Sequence, residues 1–295
     1  MTYSTPIGPT GRMLPVALVQ MNSGADKEAN VEAAVAAIDE AAVAGSRLVV
    51  LPELWTYLGP NAGTVDAAEP IPGPLSEILA ERARHHGIYL HIGSMLERIA
   101  GEDRLANTTL VFDPKGEQIA RYRKIHLFDV DLDADTSYRE SETIAPGDEI
   151  VAFDLDGIRI GLAICYDLRF PELFRILALE GAEVVVLPAA FTMVTGKDHW
   201  EILIRARAIE NGMFMAAVGQ VGQHPPGLSC YGRSMVVDPW GLVIAQASDR
   251  PTILYATIEL DEIARVRRQV PSLANRQPER YRWPETVLAG TRTGD

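Results

Sequence analysis

Apolar residues fall in short runs separated by polar turns. Residues 15–21, 48–51, 88–95, 108–112, 160–164, 184–187 and 213–218 are apolar-rich, about the four to eight residues expected of a buried strand. Between them, apolar positions take helical spacing. Val31, Val35, Ile38 and Val43 define a helix over 30–43, with Gly45 placed to end it, and 75–86 reads as another, stopped by Gly87. Pro171 suits a helix's first turn, so the polar turn 166–169 leads from a strand into a helix. Segments 199–211 and 260–269 are further helices. Residues 151–155 and 159–164, joined by Asp156-Gly157, read as a hairpin. Segments 234–237, 243–247 and 252–258 read as a meander, 121–126 as a strand or its end, and 220–227 as a Pro/Gly-rich loop. The acidic stretch 129–148 is read as a loop, long enough that it should border a site. Alternating strands and helices point to a sheet-based α/β fold with helices packed outside. No repeat or composition break divides the chain, so one domain over 12–285 is expected, with tails at 1–11 and 286–295.

Composition narrows the class without naming a reaction. The 295 residues are 47% hydrophobic and 23% charged, ordinary for a globular protein, with 27 basic and 40 acidic residues and a formal charge of −13. That balance argues against a general nucleic-acid binder. Two cysteines, Cys165 and Cys230, are too few for a disulfide framework. The N-terminal stretch lacks the pattern of a signal peptide, and no run reaches the roughly 18 apolar residues of a membrane span. A cytoplasmic protein, with neither membrane nor nucleic acid as partner, is the expectation. Asn107-Thr108-Thr109 matches a glycosylation sequon, which has no meaning without secretion. His85-His86 reads as a capping or surface pair. No metal motif, phosphate loop or dinucleotide fingerprint is present in the sequence, so no metal or cofactor is expected.

Three reactive side chains stand at the ends of separate apolar runs: Glu53, Lys124 and Cys165. Singly, each has a plain explanation: a solvated loop acid, a member of a basic surface cluster, and a core cysteine. Together they form a chemical set. A thiol with an ordinary pKa of about 8.5 needs a base to take its proton, and an attacked carbonyl needs a cation for its developing charge. Spacing alone leaves open whether they meet.

Pro52-Glu53-Leu54-Trp55, Tyr122-Arg123-Lys124-Ile125-His126-Leu127-Phe128 and Ile164-Cys165-Tyr166-Asp167-Leu168-Arg169-Phe170-Pro171-Glu172 resemble, in order, the three catalytic blocks of the nitrilase superfamily of carbon–nitrogen hydrolases. The segments Tyr138-Arg139-Glu140-Ser141, His199-Trp200-Glu201 and Asp238-Pro239-Trp240-Gly241 are similar to the branch of ω-amidases and deaminated-glutathione amidases. The resemblance implies an α-β-β-α sandwich of two mixed sheets between outer helices. It implies Cys165 as nucleophile, Glu53 as general base and acid, Lys124 and the Tyr166 backbone N–H as oxyanion donors, and Glu140 as the support of Lys124. The implied reaction is cofactor-free hydrolysis of a small ω-amide through a thioester. Arg169, Phe191 and Thr195 are candidate substrate contacts, with a structural ion pair as the alternative for Arg169. Cys230 falls in no such block. Nitrile or N-carbamoyl hydrolysis by the same triad is the nearest rival, and a silent scaffold the rival of another class. A homodimer or larger homo-oligomer is also implied.

Overall fold

Strand β1, Met13–Gln20, shows how the layers are set. Its Leu14, Val16 and Leu18 point into a core shared with a second sheet, while Ala17 and Val19 point into a core shared with helices. A strand buried on both faces needs apolar residues at successive positions, which is why its sequence is a continuous run. Each buried Leu or Val among them contributes roughly 1.5–3 kcal/mol by leaving water.

The computed structural model describes residues 11–131 and 137–282; of the expected tails, only Gly11 falls within them. After β1 come β2 Leu48–Val50, β3 Tyr89–His91, β4 Met95–Glu97, β5 Ala106–Phe112, β6 Gln118–Arg123, β7 Asp129–Asp131 and β8 Ser137–Arg139. Then follow β9 Ala152–Leu155, β10 Ile158–Leu162, β11 Val184–Ala189, β12 Phe214–Gly219, β13 Val221–His224, β14 Leu228–Tyr231, β15 Met235–Val237, β16 Val243–Gln246 and β17 Thr252–Glu259. The helices are α1 Lys27–Val43, α2 Thr64–Ala67, α3 Pro74–His86, α4 Pro171–Leu179, α5 Met193–Asn211 and α6 Asp261–Gln269.

One seven-stranded sheet runs β17-β1-β2-β3-β5-β4 with β6 paired to β5, and a six-stranded sheet runs β16-β15-β12-β11-β10-β9. Both are mixed. β1, β2 and β3 are parallel in the first, and β10, β11 and β12 in the second. Parallel neighbours need long crossovers, supplied here by α1, α3, α4 and α5. Helices α1 and α3 cover the first sheet and α5 covers the second, so the two sheets lie between helical layers. This is the α-β-β-α arrangement expected.

Local signals explain the helix limits. The Asp26 side chain accepts from Ala29 N at 3.0 Å to cap α1, Gly87 ends α3 at φ +63°, and Pro171 is the first residue of α4. Four expectations need correction. Residues 88–95 are not one strand. Gly93 turns the chain at φ +67°, where a side chain would collide with the carbonyls of Leu51 and Pro52. The stretch 129–148 is more than a loop, because β7 pairs with β8 and a 3-10 turn, Glu140–Glu142, follows; its residues 132–136 lie outside the described ones. The region 220–227 belongs to a hairpin of β13 and β14. The third strand of the expected meander leaves it: β17 pairs with β1 from Met13↔Glu259 to Gln20↔Thr252. Gln20 supplies a reason, since its Nε2 donates to the carbonyls of Ser248 and Arg250 at 2.6 and 2.8 Å and draws the connection to the first sheet.

Candidate active site

The site lies where strand ends of the two sheets meet. From the first sheet, β2 runs into Leu51-Pro52-Glu53, and the turn beyond it is pinned by two bonds. Leu54 N donates to Ser94 Oγ at 3.1 Å, and Trp55 Nε1 to Ile92 O at 2.6 Å. Glu53 is thereby fixed in a nearly water-free position, 2% exposed. Lys124, one residue past β6 and equally buried, donates its backbone N–H to Asn107 O of β5 at 2.9 Å.

From the second sheet come three successive parallel strands. β10 leads to Cys165, β11 to Ala190 and β12 to Gln220, each just beyond a carboxyl end, the usual place for a site in such sheets. Cys165 has φ +45°, an uncommon conformation for a side chain with a Cβ, and opens the 3-10 turn Cys165–Arg169. Asp167, fully buried in that turn, ties it to the lysine segment. Its Oδ2 accepts from Tyr122 Oη at 2.6 Å and Ile164 N at 2.8 Å, and its Oδ1 from His126 N at 3.1 Å.

These elements bring Glu53, Lys124, Cys165 and Glu140 together. Lys124 Nζ is 3.0 Å from Glu53 Oε1 and 2.9 Å from Glu140 Oε2. Ala190 N donates to Glu53 Oε2 at 2.7 Å, Gln220 Nε2 to the Glu53 carbonyl at 3.1 Å, and Phe128 N to Glu140 Oε2 at 2.6 Å. Burial, then the charge of Glu53, raises the Cys165 thiol well above its ordinary value, although Lys124 pulls the other way. For Lys124, burial opposes the charge, but Glu140, Glu53 and Cys165 outweigh it and raise the ammonium well above the ordinary lysine value. The resting site therefore holds a protonated thiol beside a carboxylate that can accept its proton, and a fixed cation.

Glu53, Lys124, Cys165, Glu140, Tyr166, Phe191 and Thr195 all line one cavity of about 720 Å³. Arg169 does not line it. Its guanidinium lies over the rings of Tyr166 and Phe191, 5.7 and 5.1 Å from their centroids, and Nη1 is 3.2 Å from His199 Nδ1. Cys230 is buried in β14 and opposes Thr192. His86 Nε2 meets Asp39 Oδ1 at 2.7 Å on the outside of α1 and α3. Among the described residues, no group of three or more His, Cys, Asp or Glu is placed to hold a metal, and no helix is long and apolar enough to cross a membrane.

Sequence reading missed Asn107, Asp167 and Gln220. Asn107 is 1% exposed within a strand, so its sequon marks no glycan acceptor site on this fold. Asp167 carried a faint signal, as an acid in the turn after an apolar run. Gln220 carried none.

The sequence profile described as carbon-nitrogen hydrolase matches residues 15–268. The chain belongs to the carbon–nitrogen hydrolase family. This hydrolase is 40% identical over 266 residues to omega-amidase NIT2 of both Mus musculus and Homo sapiens, covering 90% of this chain and 96% of each relative. Among solved structures it is similar to the C. elegans NitFhit protein (38% identity, TM-score 0.86, 92% of this chain and 67% of that one). It is also similar to a mutant of the amidase from Nesterenkonia sp. AN1, with the acetamide moiety of fluoroacetamide added covalently at the active-site cysteine (26% identity, TM-score 0.76, 93% and 98% covered). The hydrolase accordingly shares the nitrilase-superfamily fold with these proteins.

Proposed function

We propose that this hydrolase cleaves a small carboxylate-bearing ω-amide through a thioester on Cys165. The observation that carries the reading is that Cys165, Glu53 and Lys124 line one cavity, with Lys124 Nζ 3.0 Å from Glu53 Oε1. Because the thiol rests protonated, Glu53 takes its proton as Sγ bonds to the amide carbon. The charge that builds on the oxygen is met by Lys124 and the Tyr166 N–H, and Glu140 keeps the lysine in place. Collapse breaks the C–N bond, the proton passes from Glu53 to nitrogen, and ammonia leaves. Water then adds to the thioester, giving its proton to Glu53, and the acid departs as the thiol is restored.

The ω-amide preference is supported by the named relatives and by Phe191 and Thr195 on the cavity wall. Arg169 stands behind the Phe191 ring of that wall, and a role as the carboxylate clamp requires it to leave its partner His199. Nitrile or N-carbamoyl hydrolysis would use the same groups. Ammonia release from a panel of amides, nitriles and carbamoyl compounds separates these, and the amide with a free acid should exceed its methyl ester. Cys165→Ala and Glu53→Gln should each abolish turnover while remaining folded, and Arg169→Met should lower kcat/KM about ten- to a hundredfold. Substantial turnover by Cys165→Ala ends the thioester reading, and a preference for the ester ends the anionic-substrate reading.

We also propose a homo-oligomer. Ile176 and Leu179 of α4, Ile202 and Ile209 of α5, and Trp240 and Leu242 are exposed, and Arg205 Nε ties the 238–241 turn to α5 through Gly241 O at 2.8 Å. The result is an apolar strip on the outer layer. Light scattering should give a multiple of 32.2 kDa at micromolar concentration; a monomer throughout would refute it. Both cysteines are free, which suits a cytoplasmic enzyme, a reading that cell fractionation tests.

A further inference from the structure

We infer that Asn107 is a positioning residue that holds Glu53 and Glu140 in register around Lys124. The inference rests on the assignment of Glu53 as base. Glu53 and Lys124 are nearly water-free and Glu140 beside them is only 15% exposed at its side chain, so the carboxylates repel unless donors stand between them. Among the described residues, two side chains donate to both: Lys124 and Asn107. Asn107 Nδ2 is 2.9 Å from Glu53 Oε1 and 3.3 Å from Glu140 Oε1. Its own carbonyl receives the Lys124 N–H, so one residue locates the base and the lysine together. It sits inside β5, paired with Leu96 of β4, and is therefore held by sheet on a rigid element.

Two features favour a catalytic service over a packing role. The amide can face only one way, since turning it would set Oδ1 against two carboxylate oxygens. In the observed orientation Oδ1 has no protein partner, although buried polar atoms are nearly always paired. The donor is also neutral. A second cation here would cancel the spare negative charge and make Glu53 a weaker base, whereas an amide restrains the carboxylate without neutralising it. Asn107 does not line the cavity, so it acts through its neighbours.

The titratable groups that face Glu53 are Lys124, Cys165 and Cys230, with Glu140 across Lys124. None of them changes in Asn107→Ala, which removes one donor from the carboxylate form. The test measures kcat and KM from pH 5 to 9, with the pH dependence of Cys165 alkylation by iodoacetamide as a readout that needs no substrate. Asn107→Ala should lower kcat about ten- to a hundredfold, the effect of one hydrogen bond to a charged group, with KM changed less than about threefold. The acid limb of kcat/KM, and of alkylation, should move up by about one pH unit. Asn107→Ser, which keeps a small polar group, should fall between wild type and Asn107→Ala. A folded variant with the wild-type kcat and acid limb overturns the inference, even if it melts earlier. Failure of both variants to fold assigns Asn107 to the core and overturns it as well. Glu53→Gln separates the two levels. If it keeps the wild-type rate, the base assignment fails and takes this inference with it; if it is inactive while Asn107→Ala is unimpaired, only the role of Asn107 fails.

Discussion

Two residues of the site have a left-handed backbone without being glycine: Cys165 at φ +45° and Leu54, next to Glu53, at φ +49°. Such positions cost about 1–3 kcal/mol each and persist where surrounding contacts enforce them. A second residue carries a pH consequence. His91 is fully buried, its Nδ1 accepts from Gly93 N at 3.1 Å, and burial lowers its pKa to about 3. In the unfolded chain the ring binds a proton near pH 6.5, so above that pH the group contributes nothing to pH dependence. Below it the unfolded state gains a proton that the folded state refuses until about pH 3. Stability should therefore fall on acidification, by about 2 kcal/mol between pH 7 and 5 from this group alone. His91→Asn, which can still accept from Gly93, should show a shallower loss of urea midpoint over that range; an equal slope in both proteins would disprove the assignment. Burial also lowers His224, which should supply part of the remaining slope. At this scale the sequence revealed residue types and hid conformations. Cys165 was legible at the end of an apolar run, but neither its φ nor the burial of Asn107 leaves a mark on neighbouring letters.

The turn 165–169 and the segment 122–126 come from different sheets, and Asp167 fastens one to the other. Burial, then the Asp167 charge, raises the Tyr122 phenol well above its ordinary value, so it remains a donor. Asp167→Ala would leave Tyr122 Oη and the Ile164 and His126 N–H groups without their acceptor, a loss of about 3–5 kcal/mol. Asp167→Asn keeps the shape but turns one acceptor into a donor, and about 1–3 kcal/mol is expected. Urea denaturation measures both, and the alanine variant should also lose alkylation of Cys165 at near-neutral pH. If its urea midpoint matched wild type, the fastening role would be wrong. Elements were legible where their ends are chemically marked, as at Gly87 and Pro171. They were misread where an end is set from a distance. The break at Gly93 is dictated by the carbonyls of Leu51 and Pro52, and β13 and β14 were hidden by the Pro225-Pro226-Gly227 turn that joins them.

For the molecule as a whole, alternation of strand and helix was enough to give the class, while partner choice among strands was not. The run 252–258 is equally apolar beside β16 or β1, and the decision falls to Gln20, more than two hundred residues away, which grips the connection at Ser248 and Arg250. The convergence of Glu53, Lys124 and Cys165, implied by the family resemblance, was likewise invisible in spacing alone, because it depends on two sheets being stacked. That stacking has a consequence for the working enzyme. Glu53, Asn107 and Lys124 are carried by one sheet, Cys165 and Ala190 by the other, so the proton transfer proposed between Cys165 and Glu53 would span the gap between them. On that proposal, turnover acts as a built-in ruler of the intersheet spacing. Low urea should stop ammonia release at concentrations where the far-ultraviolet circular dichroism is still native, and dilution should restore it. Coincident loss of both signals would mean that the sheets part only when they unfold.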